Sequence, residues 1–220
     1  MDLIERNKDK FDMYYSFLVE ENKKYNLTAI TKEEEVYIKH FKDSLLMGEV
    51  VDLTKDISIC DVGSGAGFPG IPLKICYPNI KLTVIEPTKK RVCFLEMLCE
   101  KLGIEANIIN DRAEKQANNL EEKFDIMTAR AVASTNILLE LLTKMCKVGG
   151  SVVLYKGDKA QEELDASKKA INILGLSLDS MNKFELDLEY GSRYLVTFKK
   201  IEKTNVKYPR RYAEILRKPL

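Results

Sequence analysis

Ile57-Ser-Ile-Cys-Asp61-Val-Gly63-Ser-Gly65-Ala-Gly67 decides the fold of this chain. An apolar, β-prone run reaches an acidic residue and then breaks into three alternating glycines, as a buried strand does when it turns into a ligand-binding loop. Twenty-one residues beyond Gly65, Leu82-Thr-Val-Ile-Glu86 is a second apolar run ending on a carboxylate. Strand, glycine loop, helix, strand and terminal acid together hold an adenosine-containing cofactor, with Glu86 placed to accept the ribose hydroxyls.

Outward from this stretch, strand-like runs alternate with helix-like ones. Strands are expected near 57–62, 81–86, 106–110, 124–129 and 151–155, and helices near 70–77, 88–102, 113–121, 134–146 and 158–173. The helix over 88–102 is anchored by Val92, Leu95, Leu98 and Leu102, and Gly103 is placed to end it in a left-handed cap. Such alternation predicts a mostly parallel, doubly wound sheet with right-handed crossovers. Two further runs, 176–186 and 194–199, are joined through Glu189-Tyr-Gly-Ser192 without a helix and predict a terminal antiparallel hairpin.

Ahead of the core, residues 3–20 place Leu3, Ile4, Phe11, Tyr14, Tyr15 and Leu18 at largely helical spacing. Thr31-Lys-Glu-Glu34 reads as a capping box that opens a second helix through Val36, Tyr37, Phe41 and Leu45. One domain is expected: a helical cap over 1–50, a Rossmann-like core over 51–200 and a basic tail over 201–220.

At 220 residues, 45% hydrophobic and 31% charged, the chain has ample material for one packed α/β domain and is not of disordered type. No apolar run approaches the roughly 18–20 residues that span a bilayer, and Met1-Asp-Leu-Ile-Glu-Arg opens no apolar leader. Cys60, Cys76, Cys93, Cys99 and Cys146 contain no Cys-x-x-Cys pair and sit mostly in apolar runs, which points to reduced core thiols and no metal. A cytoplasmic monomer is expected.

Net charge is only +1, but residues 199–220 hold eight Lys/Arg against two Glu, or +6, which leaves −5 for the rest. With Tyr208 and Tyr212 interleaved, that tail suits a polyanion such as RNA. A solvated terminal tail fits the same composition equally well.

The glycine loop alone leaves the cofactor open. Gly65-Ala-Gly67-Phe-Pro-Gly70 also fits the dinucleotide fingerprint, with Glu86 near the expected ~20 residues on. Two features favour S-adenosylmethionine over a nicotinamide cofactor. Asp61 with the compact glycine turn suits a zwitterionic methionine moiety better than a pyrophosphate. A hairpin after five β/α units is also how the seven-stranded methyltransferase sheet ends. A cofactor-free binding protein on a similar fold remains a third reading.

Asp61-Val-Gly-Ser-Gly-Ala-Gly-Phe-Pro-Gly-Ile-Pro72 closely resembles the loop of bacterial small-subunit ribosomal RNA guanine-N7 methyltransferases, the glucose-inhibited division protein B family. Asn26-Leu-Thr-Ala-Ile30, His40-Phe-Lys-Asp-Ser-Leu45, Lys90-Arg-Val-Cys-Phe-Leu95, Arg130-Ala-Val-Ala-Ser134, Tyr155-Lys-Gly157 and Tyr208-Pro-Arg-Arg211 resemble the same family in the same order, over nearly the whole chain. Ser64 and Ala66 stand where many relatives have threonine or proline; both are small, so close approach to a ligand survives.

The resemblance implies a class I S-adenosylmethionine-dependent methyltransferase that acts on 16S ribosomal RNA or the small ribosomal subunit. It implies cofactor contacts at Gly63, Gly65, Gly67, Phe68, Glu86, Ala113, Glu114 and Arg130. Asp111 reads instead as a helix N-cap. Arg130, Lys156 and Arg193 at the carboxyl edge of the sheet, with Arg210 and Arg211 in the tail, are candidates to face RNA, Arg130 also as a possible substrate-positioning group. His40 and Asp43 resemble family residues but are given no catalytic role.

Chemistry fits the absences. A guanine N7 carries a free lone pair and needs no general base, which suits a chain with one histidine and no evident acid–base dyad. Transfer to N7 then rests on placement. Amino-group methylation usually brings Asn/Asp-Pro-Pro-Tyr/Phe, where this chain has Ala129-Arg-Ala-Val. Cytosine-C5 methylation brings a Pro-Cys nucleophile, which does not occur here.

Overall fold

The expected alternation is realised in the computed structural model, which describes residues 3–187 and 191–220. Two helices open the chain, α1 (Leu3–Arg6) and α2 (Lys8–Tyr25). A second helical stretch follows as α3 (Glu33–Val36), a π-helical turn over Tyr37–Lys42 and α4 (Asp43–Leu45). It begins with Lys32 at the N-cap and no side-chain cap, so Thr31 does not close the expected capping box.

Seven strands then form one sheet in the order β3-β2-β1-β4-β5-β7-β6. β1 (Ser58–Val62), β2 (Lys81–Ile85), β3 (Asn107–Ile109), β4 (Phe124–Arg130) and β5 (Cys146–Lys156) run parallel. β6 (Leu176–Asp187) and β7 (Gly191–Lys200) add the antiparallel hairpin, with β7 inserted against β5. Part of the hairpin turn, residues 188–190, lies outside the described residues. Between strands lie α5 (Gly70–Cys76), α6 (Lys89–Leu102), α7 (Ala113–Gln116), α8 (Thr135–Leu142), α9 (Ala160–Ala166) and α10 (Lys168–Ile173). α6 ends as expected, with Gly103 left-handed at φ 60°. The helices expected over 113–121 and 158–173 are shorter or split, while β5 starts earlier than its apolar run because it crosses Gly149 and Gly150.

Strand alternation sorts the core onto two faces. Ile59, Leu82, Val84 and Ile126 bury against α5, α6 and the cap, where Phe11, Tyr14, Leu18 and Phe41 are fully enclosed. Cys60, Val62, Ile85, Met127 and Ala129 bury against α8 and the segments beyond it. Each such aromatic or aliphatic side chain contributes about 1.5–3 kcal/mol by leaving water.

The tail is docked rather than free. Tyr208 and Ile215 join the second cluster, and α11 (Tyr212–Arg217) follows an ion pair from Arg210 to Glu140 on α8. Glu140 is fully buried and accepts from the Arg210 backbone and guanidinium together.

Candidate active site

β1 delivers Asp61 fully buried at the base of the glycine loop. Its Oδ2 accepts from Ser64 Oγ at 2.6 Å and from the Gly70 N–H at 2.9 Å, while Oδ1 has no partner among the described residues. Burial pushes this carboxyl up to about 6. Across the loop, β2 delivers Glu86, also fully buried. Its two oxygens accept from the Gly65 N–H at 3.1 Å and the Thr88 N–H at 2.9 Å, with the Arg91 guanidinium 3.8 Å away.

All three glycines have positive φ, 71° at Gly63, 62° at Gly65 and 102° at Gly67, which a Cβ disfavours. They differ in what a side chain would meet. A Cβ at Gly63 would strike Val132, and one at Gly67 would strike Tyr14 and Ile71. Only at Gly65 does the space stand open. Open space therefore lies beside Gly65, whereas at Gly63 and Gly67 the missing Cβ makes room for protein side chains.

Phe68 is likewise more internal than expected. Its ring is stacked on Tyr14 at 5.4 Å and on His40 at 4.4 Å, and the Arg130 guanidinium lies 5.0 Å from its centroid. It packs against those polar groups and also lines a cleft of about 180 Å³. Gly63, Gly65, Arg91, Arg130, His40 and Thr28 also line that cleft. A groove of about 750 Å³ lies apart from all of these, along the outer ends of β2 and β3.

Arg130 ends β4 at the carboxyl edge, as predicted. It is not a surface cation: Nη1 donates to Asp43 Oδ2 at 2.6 Å and to the Lys39 carbonyl at 3.0 Å. Asp43, with no exposure, also accepts Arg193 Nε at 2.6 Å and so joins the cap, β4 and β7. His40 is pushed down to about 3 by burial and by Arg130. The sequence contained these residues in family-like segments, but nothing local showed that a helix carboxylate would be enclosed between two distant arginines.

Three of the four cations expected to face RNA, other than Arg130, are committed inside the protein. Lys156 is buried and donates to Glu163 and to the Ala133 carbonyl, both at 2.8 Å. Arg193 is held by Asp43 and Arg210 by Glu140. An internal carboxylate near each offsets the desolvation of its charge, and the sequence alone does not show which carboxylate that is. Arg211 alone of the four is exposed with no ion pair among the described residues. After β3, Ala113 is buried at the start of α7 and Glu114 follows it half-exposed. Asp111 is not the N-cap; that position is Arg112, whose N–H donates to Asp111 Oδ1 at 2.8 Å.

The residues present fit a bound S-adenosylmethionine. Asp61 Oδ1 is an unpaired buried acceptor, Gly65 leaves open space, and Glu86 keeps further acceptor capacity beside both. Sheet order, loop and terminal hairpin are those of the class I S-adenosylmethionine-dependent methyltransferases. Solved structures of that class superpose on the chain at low identity. One is an O-methyltransferase from Thermotoga maritima, with TM-score 0.58 and 16% identity, covering 86% of this chain and 72% of that one. Another is a 16S rRNA adenine-N1 methyltransferase from Catenulisporales acidiphilia solved with S-adenosylmethionine, with TM-score 0.57 and 11% identity, covering 69% and 88%.

The GidB family model, rRNA small subunit methyltransferase G, matches residues 7–191. Ribosomal RNA small subunit methyltransferase G of Acholeplasma laidlawii is 46% identical over 99% of this chain and 94% of its own. That of Bacillus subtilis is 44% identical over 94% and 87%. The chain belongs to the rRNA small subunit methyltransferase G family and is an S-adenosylmethionine-dependent methyltransferase.

Proposed function

We propose that the protein transfers a methyl group from S-adenosylmethionine to N7 of a specific guanine in 16S ribosomal RNA. The observation that carries the ring-nitrogen acceptor is the character of the cleft. His40 is the one lining residue with a side chain suited to act as a base near neutral pH, and it is pushed down to about 3. A cleft without a usable base suits an acceptor atom that already has a free lone pair. When bound, the cofactor supplies a sulfonium methyl group that such a lone pair takes without prior deprotonation.

In this reading Gly65 gives access to the methionine portion, Asp61 and Glu86 supply acceptors, and Ala113 and Glu114 border the adenine. Gly63, Gly67 and Phe68 hold that geometry from behind, and Arg130 sets the floor of the acceptor side. The cap, core and tail, 1–50, 51–200 and 201–220, work as one unit. Phosphate contacts fall to exposed cations: Arg211, Lys42 beside the cap hub, and Lys89 and Lys90 next to Arg91. No helix among the described residues is long and apolar enough to cross a membrane, and a ribosomal substrate supports a cytoplasmic location.

The test is methyl transfer from labelled cofactor to small-subunit RNA taken from a strain lacking the protein. Nuclease digestion and mass analysis are expected to give 7-methylguanosine at one site. A different methylated nucleoside, or no transfer to that RNA, overturns the reading.

A further inference from the structure

Thr28 lies in the connector between α2 and α3, is half-buried, and lines the cleft opposite the glycine loop. A chain of hydrogen bonds fixes its hydroxyl. Arg130 Nη2 stands 3.2 Å from His40 Nδ1, and a guanidinium keeps its protons, so Nδ1 is the acceptor. The proton of the neutral ring therefore sits on Nε2, which donates to Thr28 Oγ1 at 3.0 Å. The Ile30 N–H donates to the same oxygen at 3.1 Å.

Both acceptor positions of the hydroxyl are then filled, and no acceptor for its own hydrogen is found among the described residues. The opposite tautomer would let Nδ1 donate to the Lys39 carbonyl 3.1 Å away. That carbonyl could take a second donor beside Arg130 Nη1, but the ring N–H would then face a guanidinium N–H at 3.2 Å. His40 stays neutral at physiological pH, so the arrangement does not switch with pH.

We infer that Thr28 is a specificity-determining residue whose hydroxyl, oriented through His40 by Arg130, donates a hydrogen bond to O6 of the target guanine. The inference rests on the guanine-N7 reading. O6 and N7 lie side by side as acceptors on one edge of guanine, whereas adenine presents an amino donor next to N7. A fixed donor beside the reacting nitrogen therefore favours guanine and opposes adenine. Position agrees with this. Glu86 and Ala113 follow β2 and β3 on one side of β1, while Arg130 ends β4 on the other. With the adenosine half lying toward β2 and β3, the acceptor base enters on the β4 side, where the cap holds Thr28.

The chain has one histidine, so nitrogen-15 NMR of the imidazole reads its tautomer without assignment. The proton is expected on Nε2; a proton on Nδ1 overturns the inference. In Thr28→Val, kcat for methylation of small-subunit RNA is expected to fall about 10- to 100-fold. Calorimetric Kd for S-adenosylhomocysteine should stay within about twofold, which also shows that the variant is folded. Thr28→Ser restores the hydroxyl and is expected to recover kcat to within about threefold of the parent. Unchanged kcat in Thr28→Val overturns the inference, as does a proportional loss of S-adenosylhomocysteine affinity, which would assign the hydroxyl to the cofactor's carboxylate. The product separates the two levels of failure: parent enzyme that makes no 7-methylguanosine refutes the guanine-N7 reading itself, whereas normal product with an indifferent Thr28→Val refutes only the role of Thr28.

Discussion

A single missing Cβ has different meanings at Gly65 and Gly67, two residues apart. Gly65→Arg places a long side chain in open space, so the fold should persist while calorimetry shows S-adenosylhomocysteine binding abolished. Gly67→Ala drives a methyl group into Tyr14 and Ile71 at φ 102°. It should lower unfolding free energy by about 2–4 kcal/mol in urea titration, from overpacking with left-handed strain. Asp61 and His40 give opposed pH dependences. Asp61 titrates near 3.8 when unconstrained and about 6 when folded, so the native chain binds the extra proton between those values. Its contribution to stability is greatest below about pH 4 and declines as pH rises to about 6. His40, moved from 6.5 to about 3, contributes fully above pH 6.5 and loses its contribution as pH falls. Asp61→Asn should therefore gain stability relative to the parent as pH rises from 4 to 7, measured by thermal denaturation at each pH. A difference between the two proteins that is flat over this range would refute the assignment.

At the scale of elements, what could be read in advance was what repeats locally. The strand–helix alternation, the left-handed stop at Gly103 and the hairpin all follow from short-range pattern. Long-range polar pairing does not. Asp43 looks like one more charge on an amphipathic helix, and only the closed sheet shows it enclosed by Arg130 and Arg193, 87 and 150 residues away. Lys156 lies only seven residues from Glu163, yet a turn and a strand end separate them, so no helical spacing announced the pair. The docking of the basic tail was hidden for the same reason, since composition does not show that Arg210 seats on α8. Removing that seat should be costly because buried Glu140 would lose its guanidinium partner and keep only the Arg210 backbone N–H. Arg210→Ala is expected to lose about 2–3 kcal/mol in urea denaturation, with a matching fall in melting temperature.

For the whole molecule, net charge is a poor guide to the RNA-facing surface because many of its cations face inward. Salt dependence of RNA binding separates the two populations. Lys89→Gln and Lys90→Gln should each weaken RNA binding and reduce the slope of log affinity against log salt by about 1, measured by filter binding. Lys156→Gln should leave that slope unchanged and show its effect in thermal stability.

The Asp43 junction also has a consequence for the order in which the protein is made. It ties Asp43 in the cap to Arg193, which is synthesised 150 residues later. Until β7 pairs with β5, the cap lacks one of the two arginines that hold Asp43. A nascent chain stopped before β7 therefore carries the glycine loop without a finished acceptor side. The acceptor side is finished only after β7 has been made and has paired with β5.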